Sequence, residues 1–138
     1  MSRKKNLTNI IEDIYRLLRI PKTKNVSNDM ENFQEFLNLI FNLSYILEYY
    51  DINSFINNLI LFRKSLNDEQ AKYFDEQFSS WMTLIIQTSI VNDISYDSMS
   101  ALIAMLDDKG SEEFSREVKR VFNIDVDRFL MNFALKEL

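Results

Sequence analysis

The chain has 138 residues, a size that fits one domain with one hydrophobic core. Hydrophobic residues make up 46% of it and aromatic residues 13%, which excludes an intrinsically disordered chain because such chains lack apolar surface. One glycine and one proline are too few for the turns of a β-sheet protein of this length. The absence of cysteine excludes disulfides and zinc–thiolate sites, and the formal net charge of −5 makes the chain acidic.

Two helices are predicted in the first third of the chain. Apolar residues recur at spacings of three and four over residues 6–20, which predicts an amphipathic helix that Pro21 ends. Asn28 and Glu31 match the capping-box pattern and predict a second helix that runs unbroken to about Tyr50. This second helix is apolar around most of its circumference, so we expect it to be central in a bundle or to use a second face in an interface.

The third and fourth predicted helices each begin with a recognisable cap. Asp51 is a good N-cap for the third helix. Asn67 and Gln70 repeat the capping-box pattern and open the fourth, which is predicted to reach about Asn92. The residues at helical spacing, predicted to face the core, are Ile52, Phe55, Ile56, Leu59, Phe62 and Leu66 in the third helix and Ala71, Phe74, Phe78, Trp81, Met82, Ile85 and Ser89 in the fourth.

Three more helices are predicted after the fourth. Gly110 is predicted to end the fifth as a left-handed C-cap, Ser111 to cap the sixth and Asp125 to cap the last. Their inward-facing residues are predicted to be Met99, Leu102, Ile103 and Leu106, then Phe114, Val118, Val121 and Phe122, then Val126, Phe129, Leu130 and Phe133. Residues 1–138 are therefore predicted to form one all-α domain, a bundle of six or seven amphipathic helices with one or two central hydrophobic helices.

The residue types that most enzymes need are missing. Without histidine and cysteine, the chain lacks the commonest general base, the commonest transition-metal ligand and the best nucleophile. A single glycine excludes glycine-rich phosphate-binding loops. Placing Gly110 at the sixth position of a calcium loop puts Met105, Lys109 and Arg116 at ligand positions, so a calcium loop is excluded as well. We predict no enzyme activity, no catalytic residue, no cofactor and no metal.

The charge is unevenly distributed along the sequence. Residues 1–24 carry seven basic and two acidic residues, a net charge of +5, which leaves −10 on the remainder. The basic residues proposed to contact a partner or a nucleic acid are Arg3, Lys4, Lys5, Arg16, Arg19 and Lys22. One interpretation is contact with a nucleic-acid backbone or an acidic protein surface. The favoured alternative is that a basic first helix docks on, or solubilises, an otherwise acidic bundle, because the whole-chain charge repels free nucleic acid.

Aromatic residues provide a second signal. Phe41, Tyr45, Tyr49 and Tyr50 follow roughly one side of the second helix and are predicted to be interface aromatics, since tyrosine is enriched at interface hot spots. The alternative is packing in the core, which is favoured for Phe41 and for Trp81 and evenly balanced for the two tyrosines at the helix end.

The sequence favours a function in protein–protein contact. The N-terminal segment lacks the apolar stretch of a signal peptide, and no run of apolar residues could span a bilayer, so we expect a cytoplasmic protein with no membrane contact. Abundant asparagine and isoleucine point to a phage, virus, mobile element or AT-rich bacterial host. We predict a small accessory, inhibitor or immunity factor that binds a protein partner, with a homodimer through the second helix as one form. The alternative is a small helical subunit of a nucleoprotein complex that contacts nucleic acid through its basic N-terminal helix.

Overall fold

The structure is a computed structural model, and it describes residues 31, 33–35, 37–38, 40–42 and 51–138. These residues form helices and no strand, which confirms the all-α fold class. The Cα positions group into two compact units, Met1–Phe74 and Asp75–Leu138. The organisation of residues 1–138 as a single domain stays a prediction. The predicted first helix over residues 6–20 lies outside the described residues.

The predicted second helix is helical at every described position within 31–40. Phe41 then forms a turn and Asn42 is not helical, so the prediction of an unbroken helix to Tyr50 is wrong. Asparagine favours helix ends because its side chain offers the backbone other hydrogen bonds, and apolar spacing alone does not report this preference. Residues 43–50 lie outside the described residues.

Helix α1, Ile52–Lys64, begins where the sequence predicts. The Ser54 N–H donates to Asp51 Oδ2 at 3.0 Å, which confirms Asp51 as the N-cap. Five of its six predicted core residues are buried, and Leu66, beyond the end of the helix, is half-buried. The ring centroid of Phe62 lies 6.2 Å from that of Phe33 and 6.0 Å from that of Phe74, so aromatic packing joins α1 to its neighbours in the unit 1–74.

Helix α2, Asp68–Ile86, opens with the predicted capping box. The Gln70 N–H donates to Asn67 Oδ1 at 2.8 Å, and the Asn67 N–H donates to Gln70 Oε1 at 3.2 Å. The six apolar residues of its predicted stripe are buried, whereas Ser89, the last residue of that stripe, lies beyond the end of the helix and is exposed. Trp81 is among them, in agreement with its interpretation as a core residue.

The prediction that this helix reaches Asn92 is wrong, because α2 ends at Ile86 and a short 3-10 helix, Ser89–Asp93, follows. Thr88 explains the break. Its backbone is extended, and both its N–H and its hydroxyl donate to the Ile85 carbonyl, at 3.1 and 2.9 Å. That carbonyl is therefore satisfied without a further turn of α-helix.

Helices α3, Tyr96–Ala104, and α4, Asp108–Phe122, are joined by a connection that differs from the predicted one. Asp107 is the N-cap of α4, and its Oδ1 accepts the Gly110 N–H at 2.7 Å. Gly110 therefore lies in the first turn of α4, and its φ is not positive. The predictions of Gly110 as a left-handed C-cap and Ser111 as an N-cap are both wrong, because Asp107 starts the helix earlier.

Helix α3 ends without a glycine. Its C-cap, Met105, has right-handed helical angles, and its N–H donates to the carbonyl of Leu102 at 3.1 Å, a bond that tightens the last turn. The left-handed cap belongs to α4 instead. Asn123 ends that helix with φ 59° and ψ 32°, a conformation that asparagine tolerates better than most residues.

On α4 the predicted inward face is only half correct. Phe114 and Val118 are buried, whereas Val121 and Phe122 are exposed. These two residues occupy the last turn, at the end of the helix, where less of the molecule covers them. The Phe122 ring nevertheless packs on Phe129, with the ring centroids 5.3 Å apart.

Helix α5, Val126–Lys136, is capped by Asp125 as predicted, because the Arg128 N–H donates to Asp125 Oδ1 at 2.8 Å. Phe129 and Phe133 are buried, and Val126 and Leu130 are half-buried, so the predicted inward face is confirmed in its main members. The helix contacts both α3 and α4. Among the described helices, none is long and apolar enough to cross a bilayer.

Candidate interaction surface

Most of the predicted contact residues lie outside the described residues. These are Arg3, Lys4, Lys5, Arg16, Arg19, Lys22, Tyr45, Tyr49 and Tyr50. Phe41 is the one interface aromatic that can be placed. It is half-buried, and its ring centroid lies 5.5 Å from that of Phe74. Its contact is therefore with an aromatic residue of its own unit, and its role in an interface stays a prediction.

The buried face of α5 is fixed by an aromatic cluster. Phe129 is 3% exposed, and its ring packs against three others. Its centroid lies 5.9 Å from that of Phe114, 5.3 Å from that of Phe122 and 5.0 Å from that of Phe133. Edge-to-face and tilted aromatic pairs add to the free energy gained from burial alone. The cluster therefore holds α5 against α4 along one side.

The C-terminal end of α5 is held by polar contacts. Glu137 Oε1 accepts the N–H of Tyr96 at 2.7 Å, so this carboxylate caps the first turn of α3. The Lys136 ammonium donates to the Asn92 carbonyl at 3.5 Å and lies 4.6 Å from the centroid of the Phe133 ring. With the aromatic cluster, these contacts fix which side of α5 faces the core.

Opposite the buried face, α5 carries a second row of apolar side chains. Met131 and Leu135 each follow a buried phenylalanine by two residues, which places them roughly 200° further around the helix. Met131 is 55% exposed, Leu135 58% and the adjoining Leu138 99%. The spacing of four residues places Met131 and Leu135 on one side of the helix, and Leu138 follows two residues after the helix ends. We refer to Met131, Leu135 and Leu138 as the α5 stripe.

An apolar groove of about 190 Å³ runs along another side of α5. Its lining consists of Val91, Asn92, Phe122, Ile124, Phe129, Asn132, Phe133 and Lys136. The contact of Lys136 with the Asn92 carbonyl joins two of these lining residues. Because its apolar walls include Phe129 and Phe133, which are core residues, the groove is a seam of the fold rather than a preformed ligand pocket of typical size.

A polar cleft of about 240 Å³ lies between α2 and the start of α4. Its carboxylates belong to Asp75, Glu76, Asp107 and Glu113. Two of them have structural roles, because Asp107 caps α4 and Glu113 Oε2 accepts the Ser79 hydroxyl at 3.2 Å. Within the described part of the chain, no three carboxylates are arranged to hold a metal ion.

Gly110 allows the two helices at this cleft to approach closely. A Cβ at that position would lie 3.0 Å from both Asp107 Oδ1 and Ser79 Oγ, and 3.2 Å from a methyl carbon of Leu106. These distances are shorter than ordinary van der Waals contacts. The glycine is therefore needed for helix packing, a role that its predicted place in a helix end did not anticipate.

On the exposed side of α4, Glu117 is held by two neighbours. Arg120 forms a bidentate hydrogen bond and ion pair with it, and Gln87 Nε2 donates to its Oε1 at 2.7 Å. The Arg120 hydrogen bond first, and the Gln87 hydrogen bond second, lower the pKa of Glu117 below its ordinary value. The same hydrogen bond to Glu117 raises the pKa of Arg120.

Comparison with family models, with curated proteins and with solved structures finds no match to this chain.

The α5 stripe is the feature that sequence reasoning missed. Periodicity predicted the core face of the last helix correctly, and the spacing of Met131 and Leu135 was the signal that could have revealed a second apolar face.

Proposed function

We propose that the chain is a non-catalytic helical protein that acts by binding another protein chain through the α5 stripe. The supporting observation is the exposure of Met131 and Leu135 on a helix whose opposite face is fixed in the core. Single exposed apolar residues are common on protein surfaces, whereas a contiguous apolar row on a rigid element is typical of an interaction site. Helical faces of this kind dock against other helices through residues spaced by three and four.

The chemistry of the stripe favours a protein over a small molecule or a lipid surface. It lies on the outside of a helix, whereas small ligands bind in concave sites. Surfaces that bind anionic membranes combine apolar residues with an excess of basic ones. The unit 75–138 carries twelve acidic and six basic residues, a net charge of −6, which opposes such binding. Methionine, with its flexible side chain, adapts readily to a protein surface.

Two further features support this function. The full sequence contains no histidine and no cysteine, which leaves few routes to catalysis. The carboxylates of the polar cleft that make assigned contacts act within the fold, as a helix cap and as a hydrogen-bond acceptor. A small accessory, inhibitor or immunity factor of a phage, virus, mobile element or AT-rich bacterium fits a protein that works by covering a surface.

The test is a comparison of captured proteins. The wild-type chain and the variant Leu135→Glu are immobilised and exposed to an extract of the native host, and the bound proteins are identified by mass spectrometry. We expect at least one protein to be bound by the wild type and lost with Leu135→Glu, because a carboxylate in an apolar contact must be desolvated.

Leu61→Glu is the matched control. Leu61 on α1 is 62% exposed, close to the exposure of Leu135, so the two variants make the same chemical change at equally exposed leucines. Equal thermal midpoints for the three chains would establish that all are folded. Identical sets of captured proteins for wild type and Leu135→Glu would contradict the proposed function.

A second candidate function rests on the charge of residues 1–24, which is +5. Such a segment would bind the phosphate backbone of a nucleic acid within a larger complex. The test is an electrophoretic mobility shift with labelled RNA and DNA strands. A shift at low salt that disappears as salt rises, and that is abolished by Arg16→Glu with Arg19→Glu, would support it. No shift at low salt would contradict it.

A further inference from the structure

The described part of the chain holds four methionines in different surroundings. Met82 and Met99 are buried, at 0% and 1% exposure, and Met105 is half-buried at the end of α3. Met131, at 55% exposure, is the exposed one among these four. Cysteine is absent from the full sequence, so methionine thioethers are the only sulfur atoms of the protein. Because exposure governs how readily a thioether is oxidised, Met131 is the reactive one of the four.

Met131 lies where oxidation changes a surface and leaves the core intact. It stands opposite Phe129 and Phe133, the two buried residues of α5. Leu135, the other helical member of the α5 stripe, follows one turn later on the same side. A sulfoxide at Met131 would therefore add a polar group to the stripe without adding one to the core.

The oxidation needs an oxidant of the peroxide class. The lone pair of Met131 Sδ attacks one oxygen of hydrogen peroxide, the O–O bond breaks and an S–O bond forms. The second oxygen leaves as water with the proton of the transferred hydroxyl group, so sulfur is oxidised and the peroxide is reduced. A methionine sulfoxide reductase reverses the step with two thiols, which become a disulfide while the oxygen leaves as water. The modification is thus reversible.

We infer that Met131 is a site of reversible oxidation that controls protein binding by the α5 stripe: the thioether permits binding and the sulfoxide prevents it. This inference rests on the proposed function of the stripe. A sulfoxide oxygen in an apolar contact must give up its hydrogen bonds with water, which lowers the affinity for a partner roughly tenfold to a hundredfold. The fold is unaffected, because the oxidised side chain stays in solvent.

Graded oxidation tests whether Met131 is the reactive methionine. The full chain is treated with increasing amounts of hydrogen peroxide, quenched with catalase and mapped by peptide mass spectrometry. We expect sulfoxide to form at Met131 roughly tenfold faster than at Met82 and Met99, which react only when the fold opens. The thermal midpoint should stay unchanged at a dose that leaves Met82 and Met99 intact. Equal rates at the three positions, or a lower midpoint at that dose, would overturn the inference.

Capture of host proteins tests the effect on binding. The immobilised chains are the wild type, the wild type oxidised at that dose, the oxidised wild type after treatment with methionine sulfoxide reductase and dithiothreitol, and Met131→Gln. The host extract is first freed of small thiols so that it cannot reduce the sulfoxide. The protein that Leu135→Glu loses should be bound by the wild type and the reduced form. Its amount should fall about tenfold or more with the oxidised form and with Met131→Gln, which places an uncharged polar group in the stripe.

Two controls assign the effect to Met131. Across the peroxide series, the captured amount should fall in parallel with the fraction of sulfoxide at Met131, and at no other methionine, Met1 and Met30 outside the described residues included. Peroxide should leave the capture by Met131→Leu as it is for the untreated variant. Met105→Leu, the matched change at a half-buried methionine, should lose the protein on oxidation as the wild type does. A loss that follows another methionine would contradict the inference.

The proposed function and the inference fail differently. If Leu135→Glu loses a captured protein that the oxidised wild type retains, the stripe binds a partner and control by oxidation of Met131 is wrong. If wild type and Leu135→Glu capture identical sets of proteins, the proposed function is wrong and the inference fails with it.

Discussion

Helices α4 and α5 are neighbours in the unit 75–138, yet they use apolar residues differently. Along most of α4 the apolar residues form one narrow row, with Phe114 and Val118 buried and charged residues on the other sides. Helix α5 buries Phe129 and Phe133 in the same way but adds Met131 and Leu135 on the opposite side.

The difference separates residues that the fold explains from residues that it does not. A helix at the surface of a domain needs one apolar stripe to pack on the core, and charged residues suit the rest of its surface. Most of α4 meets this expectation. On α5, the side that carries Phe129 packs on the core, and the stripe on the opposite side is not buried by folding. Binding of a partner would explain its apolar residues.

The largest loss of stability is expected from substitutions on the buried side of α5. Phe129→Ala removes a ring that is in contact with three others, and should lower the free energy of unfolding by about 3–4 kcal/mol. Leu135→Ala, on the opposite side, should change it by less than about 0.5 kcal/mol. Urea unfolding followed by circular dichroism measures both. Equal losses for the two variants would show that the stripe is part of the folded core and would remove the contrast.

A smaller effect is expected where α4 packs on α2. Gly110→Ala brings a Cβ to within 3.0 Å of Asp107 Oδ1 and Ser79 Oγ, so the cap and the Ser79–Glu113 hydrogen bond must shift. We expect a net loss of about 1 kcal/mol, despite the better helix propensity of alanine. On a Ser79→Ala background the loss should be smaller, because one of the crowding atoms is gone. An unchanged loss on that background would assign the whole effect to the cap.

A loss of stability of similar size is expected at the start of α5. Asp125→Ala removes the acceptor of the Arg128 N–H and should cost about 1 kcal/mol of stability, whereas Asp125→Asn should retain most of the cap. The same urea unfolding experiment distinguishes them. Equal stability of the alanine variant and the wild type would mean that the aromatic cluster alone positions α5.

The smallest effect is expected on the exposed side of α4. The folded pKa of Glu117 lies below its ordinary value of 4.5, so its ion pair with Arg120 stabilises the fold above that pH and is lost as pH falls through the lowered folded pKa. Glu117→Gln should therefore be slightly less stable than the wild type at neutral pH, and the difference should vanish in acid. Thermal unfolding from pH 7 to pH 3 would measure it. On an Arg120→Gln background the difference at neutral pH should shrink, and a full-sized difference there would exclude the ion pair as its cause.

Local features of this fold could be predicted from the sequence. Asp51, the Asn67–Gln70 box and Asp125 act on backbone groups three residues away, so their effect needs no knowledge of the rest of the molecule. The all-α class followed in the same way from periodicity. Gly110 was misassigned because Asp107 and Ser111 both resemble N-caps, and only the packing of α4 against Ser79 decides between them.

The candidate surface depends on packing over longer distances. Periodicity predicted the core face of α5, but that Met131 and Leu135 stay uncovered on the other side depends on how α5 is held by the aromatic partner in α4 and by the contacts of Lys136 and Glu137 with residues more than 40 positions away. Val121 and Phe122 show the same limit, since their spacing predicted burial and their place at the end of α4 left them exposed.

Site-specific photo-crosslinking in the native host would show whether the α5 stripe is a protein-contact surface. A photoreactive amino acid replaces Leu135 in one variant and the equally exposed Leu61 in the other. We predict higher-mass adducts after illumination from position 135 and none from position 61. Adducts from position 61 alone, or from neither position, would contradict the account.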